Sequence, residues 1–167
     1  AALPGPCLSG GGQAPTALWD SESEKQRIAR SFSQAAASYD AVASLQRAVG
    51  DELEQKIPSG TTTGLALDLG CGTGYFLRRV TPACDDIIWF GGDLAEGMLR
   101  YCQATQPSLQ GRLLGLDAER LPFAPASLHG IYSSLALQWC RNLDQLFAEL
   151  RRVLRPGGWL VFSTLVD

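Results

Sequence analysis

Residues Asp68 to Gly74 read D-L-G-C-G-T-G, an acidic residue followed by three glycines at alternate positions. Gly70, Gly72 and Gly74 suit a tight turn, because glycine adopts positive φ at little cost and lets backbone approach a ligand. The next residues, Tyr75 to Val80, are helix-compatible, so the turn also offers the unpaired N–H groups and partial positive charge of a helix start. Phosphate-binding turns carry G-x-G-x-x-G or a Gly-Lys-Ser/Thr, and neither is present. Asp68 at the entrance would repel a pyrophosphate and suits an ammonium group. Asp93, nineteen residues beyond Gly74, suits both hydroxyls of a ribose. It equally suits the N-cap of a helix starting near Glu96, and the two roles are compatible. Asp117, in GLDAERLPF, can take an adenine-type amino group beside a backbone N–H of Ala118 or Glu119, or can close an Asx-turn. Leu94 and Met98 fall where apolar side chains could flank a base.

Alternating elements are needed to bring these residues together. Leu65–Leu69 reads as a strand stopped by the glycines, and Tyr75–Val80 as the helix after it. Ile87–Gly91 reads as strand two, Glu96–Ala104 as a helix, Leu113–Leu116 as strand three and Leu128–Ser133 as strand four. Leu143, Leu146, Phe147, Leu150 and Leu154 make a helical stripe; Pro156-Gly157-Gly158 reads as a turn, and Trp159–Leu165 as strand five. Such alternation predicts an α/β fold with a doubly wound, mainly parallel sheet, and places Asp68, Asp93 and Asp117 at three successive strand ends. Two helices precede the sheet. Ile28, Phe32, Ala35 or Ala36, and Tyr39 form the apolar face of the first, from Glu22 onward. Val42, Leu45, Val49, Leu53 and Ile57 form that of the second, with Asp40 as an N-cap between them. Tyr39 either covers the cleft near a reacting centre or is the last rung of its helix face. Arg47 either reaches a ligand carboxylate or is a solvated surface residue. His129 reads as packing within strand four. Arg151, Arg152 and Arg155 read as placement at a helix C-terminus, with an acidic docking partner as the other reading.

The chain has 167 residues and a net charge of −3, with a pI near 5.1, which argues against nucleic-acid binding. No apolar run approaches the roughly 20 residues needed to cross a bilayer. Five scattered cysteines without C-x-x-C argue for free thiols in a reducing, cytoplasmic setting, and a single histidine argues against a His-based metal site. Residues 1–21 are rich in Gly, Pro and Ala up to Leu18 and read as a flexible tail before a domain over 22–167.

The D-x-G-x-G-x-G turn resembles motif I of the class I S-adenosylmethionine-dependent methyltransferases. Together with ASYDAVASLQR, GGDLAEGML, GLDAERLPF and SSLALQWC…FSTL, the chain resembles, over about residues 24–167, the malonyl-[acyl carrier protein] O-methyltransferases of biotin synthesis. The resemblance implies a Rossmann-like fold with strand order 3-2-1-4-5 and transfer of the S-adenosylmethionine methyl to the free carboxylate of malonyl-acyl carrier protein, without a metal. It implies that Gly70, Gly72 and Gly74 shape the cofactor turn. Asp93 would hold the ribose, Asp117 with Ala118 the adenine end, and Tyr39 would stand near the reacting centre. A malonyl carboxylate is already ionised at neutral pH and needs no base. Other readings are a small-molecule or quinone-type methyltransferase and a non-catalytic S-adenosylmethionine-binding module. Family members continue to sixth and seventh strands, so a C-terminally truncated or unusually short chain is expected.

Overall fold

The computed structural model describes residues 23–60, 63–81 and 86–165, without the side chains of 37–42. The tail expected over 1–21, and Cys7 and Cys84, lie outside these residues.

The elements run α1 (Glu24–Val42), α2 (Ser44–Glu54), β1 (Gly64–Leu69), α3 (Tyr75–Val80), β2 (Ile87–Asp93), α4 (Glu96–Thr105), β3 (Leu113–Gly115), β4 (Leu128–Ser134), α5 (Leu143–Val153) and β5 (Leu154–Ser163). Among the described residues the strands form one sheet of order β3-β2-β1-β4-β5, and every neighbouring pair is parallel. The chain winds outward from β1 in one direction and from β4 in the other. The crevice between their carboxyl ends is the position where such sheets bind ligands.

Alternation along β1 sets the layers. Leu65, Leu67 and Leu69 face a cluster with Leu128, Ile131, Leu146, Leu150 and Val153, which seats α5. Ala66 faces the other cluster, with Phe76, Leu77, Trp89, Cys102 and Tyr132. A third cluster of Ala36, Ala95 and Met98, bordered by Ala29 and Phe32, packs α1 on α4. Local chemistry fixes the helix ends. Ser23 and Gln26 form a capping box at the start of α1, and the Asn142 side chain accepts from Gln145 N at the start of α5.

Several expectations need correction. Asp40 lies inside α1, which runs unbroken to Val42, and the N-cap of α2 is Ala43, with no side-chain cap. Leu45 is 61% exposed rather than part of a buried face. Leu154 starts β5 instead of ending α5, and Pro156-Gly157-Gly158 falls within the span of β5, where the register with β4 jumps. Arg151 and Arg152 do lie in the last turn of α5, as anticipated, and Arg152 has a further role. It pairs with Glu149 and donates to the carbonyls of Leu121 and Phe123 at 2.9 and 2.7 Å, holding that loop. His129 packs on Gly64, where a Cβ would come within 2.2 Å of the imidazole ring.

Candidate functional site

A cleft of about 150 Å³ opens at the switch point between β1 and β4. The glycine turn and the ends of β2 and β3 contribute Gly70, Gly72, Asp93, Asp117 and Ala118, while Leu94 and Met98 line it from the segment around the start of α4. A second chamber of about 90 Å³ shares Gly70, Gly72 and Ser134 with the first and adds Asp68, Arg47, Gln46 and Tyr132. Of the ten anticipated residues, eight line these two chambers. Gly74 lines neither chamber; it sits behind the turn, where a Cβ would meet Cys102 Sγ and Gln106 Nε2 at 2.4 Å. The side chain of Tyr39 lies outside those described.

Gly70, Gly72 and Gly74 all have positive φ, at 79°, 53° and 81°. At Gly72 an added Cβ would meet nothing within 4 Å, so its missing side chain leaves open space beside the cleft. Asp93 secures the turn: Oδ2 accepts from Gly72 N at 2.9 Å and Oδ1 from Ala95 N at 2.8 Å. The N-cap of α4 is Ala95, so Asp93 lies two residues ahead of the cap position anticipated for it. Burial raises its pKa, against the lowering effect of these backbone N–H bonds. Asp68 is 3% exposed, and burial first, then the Asp93 charge, pushes its pKa well above the carboxylate range. The two aspartates, Asp68 buried and Asp93 partly so, thus form an acidic pair that a cationic group would relieve.

Asp117 does close a turn, accepting from Glu119 N at 3.0 Å, and it is engaged from an unforeseen direction. Lys25 of α1 donates to both its carboxylate oxygens at 3.0 and 2.9 Å and pairs with Glu119 at 2.7 Å. α1 therefore roofs the cleft, with Lys25, Ile28, Ala29 and Phe32 in its lining and Ser33 Oγ accepting from Gly97 N at 2.9 Å. Phe32 meets Trp139 edge to face at 5.7 Å. Opposite, Leu135 adopts φ 50°, with its N–H bonded to the O and Oγ of Ser163 at 3.1 Å. Arg47 points its guanidinium over the Tyr75 ring at 5.4 Å while lining the second chamber. Tyr132 Oη donates to Gly50 O at 3.1 Å, tying α2 to the centre of the sheet.

Sequence reasoning missed Lys25, Gln106 and Leu135. The first two act through contacts 92 and 32 to 33 positions away, and Leu135 carries none of the Gly or Asn signal expected at positive φ. Among the described residues no group of three or more His, Cys, Asp or Glu could hold a metal ion, and no helix is long and apolar enough to cross a membrane.

The chain matches a family model described as a methyltransferase domain over residues 67–162. It is 45% identical over 143 residues to a malonyl-[acyl-carrier protein] O-methyltransferase of Methylococcus capsulatus, covering 84% of this chain and 52% of that protein. It is 44% identical over 142 residues to a biotin biosynthesis bifunctional protein of Cellvibrio japonicus, covering 85% of this chain and 28% of that protein. A solved S-adenosylmethionine-dependent methyltransferase from Mesorhizobium loti, 32% identical, aligns with a TM-score of 0.59 over 68% of this chain and 52% of that one. The chain thus spans about half the length of the first relative and less of the second. Because the family match begins within β1, ends within β5 and takes in the glycine turn and all three strand-end aspartates, the chain belongs to the family of methyltransferase domains and has their Rossmann-like fold.

Proposed function

We propose that this chain is the cofactor-binding half of a malonyl-[acyl carrier protein] O-methyltransferase. The observation that carries the reading is the pair of joined chambers that straddle the glycine turn, one lined by Asp93 and the other by the buried Asp68. The residues fit S-adenosylmethionine: Gly72 leaves open space where a ligand would lie, and the acidic lining suits a cationic, phosphate-free nucleoside. When bound, this cofactor supplies a sulfonium methyl group to an acceptor carboxylate.

The chain's own residues supply binding and orientation. Asp68 takes the ammonium group, and Arg47, in the same chamber, faces the carboxylate of the amino-acid tail. Asp93 accepts from the ribose hydroxyls, and Asp117 with Ala118 N–H takes the adenine edge, flanked by Leu94 and Met98. Tyr39 orients the reacting centre. The acceptor is a malonyl thioester carried on acyl carrier protein, as named for the relatives. Its carboxylate is ionised at neutral pH, so alignment in a site screened from water by the α1 roof, without a base or a metal, is what this half contributes to rate.

The test is calorimetric titration of the chain with S-adenosylmethionine. Transfer of labelled methyl to malonyl-acyl carrier protein, a free malonyl ester and a quinol is then assayed with the full-length protein. Saturable one-to-one binding with preference for the carrier-bound malonyl group supports the reading. Preference for the quinol moves the assignment to another methyltransferase. Binding without transfer to any acceptor makes this a cofactor-binding module.

A further inference from the structure

We infer that Gln106 is a positioning residue that holds the glycine turn in its ligand-binding shape; the inference rests on reading that turn as the S-adenosylmethionine site. The Gln106 amide is buried, and its Nε2 donates to the carbonyls of Thr73 at 3.2 Å and Gly74 at 3.1 Å. The same nitrogen lies 3.6 Å from Cys102 Sγ. Met98, Cys102 and Gln106 recur every four residues, so one face of α4 and its C-cap runs from the cleft lining to the back of the turn.

The turn is therefore held on both sides by residues flanking α4. Asp93, before the helix, accepts from Gly72 N; Gln106, at its C-cap, donates to the next two carbonyls. A primary amide suits this role because one nitrogen carries two donors and no charge. An ionised carboxylate has no donor and would repel both carbonyls. Gly74 has no room for a Cβ against Gln106 and Cys102, so turn and amide fit one another directly.

The test uses Gln106→Met and Gln106→Glu in the full-length protein. Hydrogen exchange at residues 72–75 is followed without ligand, and S-adenosylmethionine affinity, KM and kcat are measured alongside. In Gln106→Met, exchange at the turn should quicken and affinity should weaken, each by roughly ten-fold, the scale of one or two lost hydrogen bonds. The value of kcat at saturating cofactor should stay within about two-fold, because the bond is the same in the bound ground state and in the transition state. In Gln106→Glu, affinity should be weak at high pH and recover as the pH falls, since a protonated carboxyl regains a donor. A merely structural role would speed exchange throughout β1 rather than at the turn alone. Unchanged turn exchange and affinity in both variants would overturn the inference. Absence of cofactor binding by the unaltered protein would overturn the site reading instead, while the exchange comparison would still decide whether Gln106 braces the turn.

Discussion

The carboxylate of Asp93 accepts the backbone N–H of Gly72 at 2.9 Å, so the end of β2 and the middle of the glycine turn move as one unit. Its second oxygen is bonded to Ala95 N, which places the start of α4 on the same anchor. Replacing Asp93 by Ala should weaken S-adenosylmethionine binding by roughly 1–3 kcal/mol, since a charged hydrogen-bonding partner is lost on both protein and ligand sides. Asp93→Asn keeps one acceptor oxygen and should lose less. Titration calorimetry measures both, and an unchanged affinity in Asp93→Ala would remove the residue from the site.

Gly72 and Gly74 should respond differently to alanine. Both have positive φ, so each substitution carries a backbone cost of roughly 1–2 kcal/mol. At Gly72 nothing else is disturbed, so Gly72→Ala should remain folded but bind cofactor poorly, with a methyl in the ligand's space. At Gly74 the methyl would lie 2.4 Å from Cys102 Sγ and Gln106 Nε2, adding an overpacking cost of about 1–3 kcal/mol. Denaturant midpoints should therefore fall further for Gly74→Ala, and the opposite order would contradict the described turn.

Asp68 should link proton release to ligand binding. Its folded pKa is raised, by burial and then by Asp93, so the folded protein holds a proton that the unfolded chain has lost. The stability contribution is present at low pH and is lost as pH rises from the unfolded value near ~3.9 through the raised folded value. A ligand ammonium favours the ionised form, so affinity should rise with pH across that window and binding should release protons. Calorimetry in buffers of different ionisation enthalpy reads this directly. Proton uptake, or the same linkage in Asp68→Asn, would count against the assignment.

Lys25→Met should loosen the roof of the cleft. Burial opposes the Lys25 charge, but hydrogen bonds to Glu119 and Asp117 outweigh it and raise its pKa. Burial likewise opposes the Glu119 charge, and the bond to Lys25 with two backbone N–H groups brings its pKa down. The Lys25 contribution is therefore full below its unfolded value near ~10.4 and is lost as pH rises through the folded value. The Glu119 contribution is full above its unfolded value near ~4.3 and is lost as pH falls through the folded value. The stability difference between wild type and Lys25→Met, about 1–2 kcal/mol for a partly buried charged pair, should be flat near neutrality and shrink at both extremes. A difference independent of pH would show that packing of the lysine stem, not the pair, is what matters.

The strand-turn-helix unit was legible because three signals coincide within sixteen residues: apolar run, alternate glycines and helix-compatible sequence. Asp68, Asp93 and Asp117 were legible as a set because strand ends in a doubly wound sheet converge. The start of β5 was not, because Leu154 continues the apolar stripe of α5, and only pairing with Leu128 draws it into the sheet. Asp40 resembled a cap by residue type, but helix geometry continues past it, and nothing local distinguishes a cap from an aspartate within a helix. Lys25 reads as an ordinary charge on an amphipathic helix; its role exists only once the fold brings α1 to the loop after β3.

The link between Lys25 and Asp117 also sets an order of assembly on the ribosome. The two residues are 92 positions apart, so α1 leaves the exit tunnel long before its anchor is synthesised. Until α4 and β3 follow, the face bearing Ala29, Phe32 and Ala36 has no Ala95 or Met98 to cover it. A nascent chain halted before residue 117 would therefore present this helix as an uncovered apolar surface, the feature that chaperones bind.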